Sequence, residues 1–61
     1  MNIRKGDVIT IEATSCYNDY PLDHAITVVV EEIDKEGVIW ASYEEGADFE
    51  VDPMDIIRKE N

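Results

Sequence analysis

Asp48-Phe49-Glu50-Val51-Asp52 alternates acidic and apolar residues without a break, and Pro53 stops the pattern. Side chains two apart share one face of a strand, so Phe49 and Val51 fall on one side and three carboxylates on the other. A helix would scatter the same residues around its axis. An unfolded acidic tail would have no reason to keep a hydrophobic face. From Glu31 to Asp55 the chain carries ten acids against one base, Lys35, which is nine of its ten units of net negative charge. Because apolar residues recur there at strand spacing, the charge belongs to a folded β surface.

The 61 residues make one domain, residues 1–61. A chain this short buries only about 60% of the surface its unfolded form exposes, so the core is thin. Hydrophobic residues are 44% of the chain, too many for a disordered acidic segment. Cys16 is the one cysteine and cannot form an internal disulfide, which favours a reducing compartment. Arg4 and Lys5 near the N-terminus are not followed by an apolar run, so no signal peptide is expected. The run Val28 to Val30 is far too short to span a bilayer. A cytoplasmic protein is the expectation.

Net charge of −10 repels phosphate backbones and anionic membranes, so neither direct nucleic-acid binding nor membrane binding is expected. Arg4, Lys5, Arg58 and Lys59 lie at the two ends and damp self-repulsion rather than grip a polyanion.

No segment keeps a helical apolar period for more than two turns; the chain predicts five short strands. After a Lys5-Gly6-Asp7 turn, Val8 to Ala13 places Ile9, Ile11 and Ala13 on one face, Thr10 and Glu12 on the other. Thr14 to His24 is a long polar loop. Ala25 to Ile33 is the strongest strand, because its residues are nearly all β-branched, and its two apolar faces predict a central position. Asp34-Lys35-Glu36-Gly37 closes a hairpin with Gly37 left-handed. Val38 to Tyr43 returns, with Val38 and Trp40 on one face and Ile39, Ala41 and Tyr43 on the other. Glu44-Glu45-Gly46-Ala47 leads tightly into Asp48 to Asp52. Pro53-Met54-Asp55 suits one 3₁₀ turn, and Ile56-Ile57 opens the last strand.

This order, and Phe49-Glu50-Val51-Asp52-Pro53-Met54-Asp55-Ile56-Ile57 in particular, resembles a Src-homology-3-like (SH3-like) small barrel. The resemblance implies an all-β, five-stranded SH3-like barrel, with a long first loop and a 3₁₀ turn between the fourth and fifth strands. Peptide-binding members carry an aromatic residue after that turn. Ile56 stands there instead, so polyproline recognition is not implied.

Carboxylates two apart on a strand repeat about every 6.8 Å, and phosphates along one nucleic-acid strand are spaced roughly that far apart. Asp48, Glu50 and Asp52 can therefore imitate a phosphate row. Glu31, Asp34 and Glu36 on the preceding hairpin, with Glu44 and Glu45, would widen it. The bland alternative is a solvated face that keeps the protein soluble and blunts sheet edges. As a calcium loop the segment fails, since Pro53 replaces the required glycine and Lys59 stands where the bidentate glutamate belongs. A weak divalent-metal site between turns stays open, but one His and one Cys are too few for tetrahedral zinc, and no cofactor is expected.

Cys16 and His24 share a loop, yet nothing marks an oxyanion hole or a third orienting group, so the protein is expected not to be an enzyme. Cys16 is read as a small loop residue and His24 as a cap on the second strand. Tyr17 and Tyr20, with Trp40 and Tyr43, form a candidate aromatic patch for a cationic or apolar side chain. For Trp40 alone, the preferred reading is that it fills the core.

The expected function is non-catalytic: an acidic protein that docks on a basic, nucleic-acid-binding surface of a partner protein and blocks it or tethers to it. Glu31, Asp34, Glu36, Glu44, Glu45, Asp48, Glu50, Asp52, Tyr17, Tyr20 and Tyr43 are the candidate contacts. A chain this small and acidic is of the kind phages and mobile elements use against host nucleic-acid enzymes. The alternative is an adaptor that binds a peptide, or a second copy as a homodimer, through the aromatic patch.

Overall fold

The computed structural model describes residues 2–12 and 25–61. The expectations for Ala13, for the loop Thr14 to His24 and thus for Cys16, Tyr17, Tyr20 and His24 lie outside the described residues.

The β-branched run forms β2 (Ile26–Ile33), which sends Ile26, Val28 and Val30 inward at 5%, 1% and 1% exposure. The other strands are β1 (Val8–Ile11), β3 (Ile39–Ser42), β4 (Phe49–Val51) and β5 (Ile56–Lys59). They form one antiparallel sheet in the order β4-β3-β2-β1-β5, so β2 is central as its two apolar faces predict. Most strands are shorter than the sequence suggests. β1 ends at Ile11, beyond which the Glu12 N–H donates to the Asp55 carbonyl at 2.8 Å. The 3₁₀ turn is where it was expected, at Pro53–Asp55.

Two ladders divide β2 between them. Its first half pairs with β1, from Ile11↔Ile26 to Val8↔Val29, and its second half with β3, from Val29↔Ser42 to Ile33↔Ile39. Val30 faces Ala41 and Glu32 faces Trp40, so Glu31 is an extra residue in a β-bulge. A bulge bends its strand and increases its twist, which brings the apolar face of β5-β1-β2 over that of β2-β3-β4. The two halves share one core made of Ile9, Ile11, Ile26, Val28, Val30, Ile39, Ala41, Phe49 and Val51, with Ile3, Ile33, Tyr43 and Ile56 packed against it. Fully burying a side chain such as Ile9 or Val28 contributes roughly 1.5–3 kcal/mol.

Among the described residues the sheet is not closed. β4 and β5 are its edges, and among the described residues no ladder joins them. The described residues are therefore all-β, with five antiparallel strands and one 3₁₀ turn. Among the described residues no helix is long and apolar enough to cross a membrane.

Candidate functional site

Strand register places Glu32 and Glu50 on one face. On β3, Ile39 and Ala41 point into the core opposite Val51 and Phe49, so Trp40 points outward opposite Glu50. Without the bulge, Glu32 would share the inward parity of Val30. With it, Glu32 lies beside Trp40 on the outer face. The result is a row across three strands, Glu32–Trp40–Glu50, with both glutamates exposed.

Trp40 does not fill the core as expected; it is half-buried on the opposite face. Its indole N–H donates to Asp34 Oδ2 at 3.2 Å, which pins the ring edge toward the β2–β3 turn. The other Asp34 oxygen accepts the backbone N–H groups of Glu36 at 2.9 Å and Val38 at 3.0 Å. The Val38 N–H, then the Trp40 indole, hold the Asp34 carboxyl below its ordinary value, while partial burial opposes them. The Gly37 N–H donates to the Asp34 carbonyl at 2.9 Å, and Gly37 takes φ 86° as the sequence predicts. Asp34 thus organises the turn and positions Trp40.

Other candidate carboxylates are similarly engaged. Glu31, the bulge residue, accepts the buried Ser42 hydroxyl at 2.6 Å. Asp52 Oδ1 accepts the Met54 N–H at 2.9 Å and caps the 3₁₀ turn. The expected row of Asp48, Glu50 and Asp52 therefore has one member committed to the backbone. Glu36, Glu44, Glu45, Asp48 and Glu50 are exposed.

Glu44 and Glu45 form the tip of the β3–β4 hairpin in an unexpected conformation. Both have left-handed backbones, φ 53° and 61°, and the Gly46 N–H donates to the Tyr43 carbonyl at 3.0 Å. Two left-handed central residues make a type I′ turn, a position that ordinarily selects Asn-Gly. Tyr43 packs against the core, and desolvation, followed by its hydroxyl's hydrogen bond to Glu44, raises its pKa above the usual phenol value. Trp40 and Tyr43 lie on opposite faces and do not make the shared aromatic patch that was expected; Tyr17 and Tyr20 lie outside the described residues.

Two ion pairs lie in the other half of the sheet. Lys59 Nζ lies 3.4 Å from Asp7 Oδ2, which also accepts the Arg4 N–H at 2.7 Å. Arg58 Nε lies 2.6 Å from Glu60 Oε2, which the Thr10 hydroxyl also approaches closely. The Thr10 hydroxyl, then Arg58, lower the Glu60 pKa. Among the described residues no ion pair involves an acid between Glu31 and Asp52. An open cavity of about 530 Å³ lined by Asn2, Ile3, Ile33, Gly37, Ile39, Pro53 and Ile56 has no titratable side chain in its lining. No cluster of three metal-ligating side chains occurs among the described residues.

Sequence reasoning did not select Glu32 and placed Trp40 on the wrong side. The available signal was Val30-Glu31-Glu32-Ile33, whose apolar residues are three apart and so break the period of two. Among known proteins, no family model, no curated protein and no solved structure matches this chain.

Proposed function

We propose that this chain is an SH3-like small barrel that acts without catalysis, as a cytoplasmic acidic protein docking on a basic surface of a partner protein. The target is a nucleic-acid-binding groove, which the protein blocks or tethers to. Its carboxylates steer encounter and occupy Lys and Arg side chains that would otherwise hold phosphates. The strand order β4-β3-β2-β1-β5 and the 3₁₀ turn before β5 are compatible with the barrel.

One observation carries the function: charge is segregated across the sheet. Arg58 and Lys59 are matched by Glu60 and Asp7 at the β1–β5 end, whereas Glu32 and Glu50 on the outer face of β2–β3–β4 and the acids of the two hairpin turns have no ion pair among the described residues. A surface acidic only for solubility would gain from dispersed, internally matched charge. Unmatched carboxylates gathered in one half of the sheet instead set up a field that a basic partner can neutralise.

The test is capture of basic nucleic-acid-binding proteins by the immobilised chain at about 50 mM salt, followed by elution with duplex DNA. Exposed charges are screened beyond roughly 10 Å even at 0.1 M salt. Captured proteins should therefore be released by about 500 mM salt and by DNA. Retention through both treatments would refute competitive docking.

A further inference from the structure

We propose that Trp40, flanked by Glu32 and Glu50, is the anchor of the docking face, and that it receives an arginine side chain of the partner, the guanidinium stacking on the indole between the two carboxylates. This rests on the docking function proposed above and names the chemistry of its central contact.

Three features of the outer face support the assignment. Trp40 is the chain's single tryptophan and sits outward on β3, opposite Glu32 of β2 on one side and Glu50 of β4 on the other. Strands are about 4.8 Å apart, so the two glutamate backbones stand roughly 10 Å apart with the indole between them. Both side chains are long enough to lean over the ring. The ring is also held before any partner arrives, because its N–H is bonded to Asp34, which is itself fixed by two backbone donors of the turn. A pre-positioned aromatic ring loses little freedom on binding.

Charge complementarity selects the occupant. Carboxylates on either side of a half-buried aromatic face disfavour an anion and leave a purely apolar side chain without partners for the acids. A cation over an indole face is attracted by the ring quadrupole. Arginine fits better than lysine because its planar guanidinium can stack while its N–H donors point outward in the ring plane, toward carboxylates at both edges. A lysine ammonium can face the ring or one carboxylate well, but not both carboxylates at once. No second copy of this chain fits as occupant with comparable ease, since like charge would meet like charge across the contact.

The single tryptophan makes the test local. Two fluorescein-labelled peptides of equal length and charge, one with four arginines and one with four lysines spaced by glycine, are titrated at about 20 mM salt. Anisotropy reports binding anywhere on the chain, and Trp40 emission, measured with unlabelled peptide, reports this site. The arginine peptide should change Trp40 emission along the same curve as anisotropy and bind about fivefold more tightly than the lysine peptide. Glu32→Gln with Glu50→Gln should weaken it by about tenfold, more than the equally charged control Glu44→Gln with Glu45→Gln. Circular dichroism checks that both variants fold.

Binding by anisotropy with unchanged Trp40 emission would overturn the Trp40 anchor and leave acidic docking standing. Equal weakening by the two variants would do the same. Absence of binding to either peptide would overturn the docking function itself, and the anchor with it.

Discussion

Glu44→Asn with Glu45→Gly should stabilise this protein, because the two native residues occupy backbone conformations that suit neither. Their φ values of 53° and 61° lie in the left-handed region. An L-residue with an ordinary side chain is disfavoured there by roughly 1–2 kcal/mol. Glycine removes that strain but adds freedom to the unfolded chain, which offsets about 0.5–1 kcal/mol. Asparagine tolerates the left-handed region with a smaller offset. The net gain for the pair is about 1–2 kcal/mol, which moves the urea midpoint up by about 1 M for a domain with a slope near 1–2 kcal/mol per M. The assay is urea unfolding followed by Trp40 emission at about 0.3 M salt, where the Debye length is under about 8 Å and loss of two charges matters little. Glu44→Gln with Glu45→Gln removes the same charges and keeps the strain, so its midpoint should match the parent's. If the Asn-Gly variant is no more stable than the Gln-Gln variant, the hairpin tip is not a strained type I′ turn.

Three further outcomes follow from the packing and charge. Val28→Ala, at a position 1% exposed, should cost about 2 kcal/mol, seen as a lowered urea midpoint with unchanged slope; a cost below about 0.5 kcal/mol would mean Val28 is not in the core. Asp34 and Glu60 both have lowered pKa values in the folded protein, so their contribution is fully present above their ordinary values of 3.8 and 4.5 and is lost as pH falls further. The urea midpoint at about 0.3 M salt should accordingly drop below about pH 4.5, and a midpoint still rising at pH 3 would contradict the turn and β5 networks. Raising salt from about 20 to 300 mM should raise the melting temperature, because screening relieves the unmatched acidic face; a fall would mean that attractive pairs dominate.

The parts of the fold that depend on period and on special residues were legible in the sequence. The β-branched run marked β2 and its central place, Phe49 and Val51 marked the buried side of β4, Gly37 marked a left-handed turn position, and Pro53 marked the 3₁₀ turn. What escaped was information that no local pattern carries. On β3 both parities are apolar, Val38 and Trp40 against Ile39 and Ala41, and size alone favoured the tryptophan for the core. Packing decided otherwise, because the smaller Ala41 sits opposite Phe49 and leaves that ring room. At Glu44-Glu45-Gly46-Ala47 the sequence marks a tight connection, but it is the two glutamates and not the glycine that take the left-handed conformation. A Cβ on Gly46 would lie 3.1 Å from the Tyr43 carbonyl oxygen.

The bulge at Glu31 links the hydrophobic and the acidic organisation of the sheet. Strict alternation through β2 would turn Glu32 inward with Val30 and Ile33 outward, placing a carboxylate in the core and an isoleucine on the surface. An unpaired buried carboxylate is disfavoured far more strongly than a local break in a ladder, so the chain takes up the extra residue and restores Ile33 to the inner face. The same residue bends β2 where its pairing passes from β1 to β3, and its own carboxylate is satisfied by Ser42. Before the bulge, the outer face carries the mixed contacts of Thr10, Thr27, Arg58 and Glu60; beyond it, Glu32, Trp40 and Glu50. One inserted residue therefore lets a thin core close over itself while moving Glu32 outward, so the acidic face and the hydrophobic core have a common structural cause.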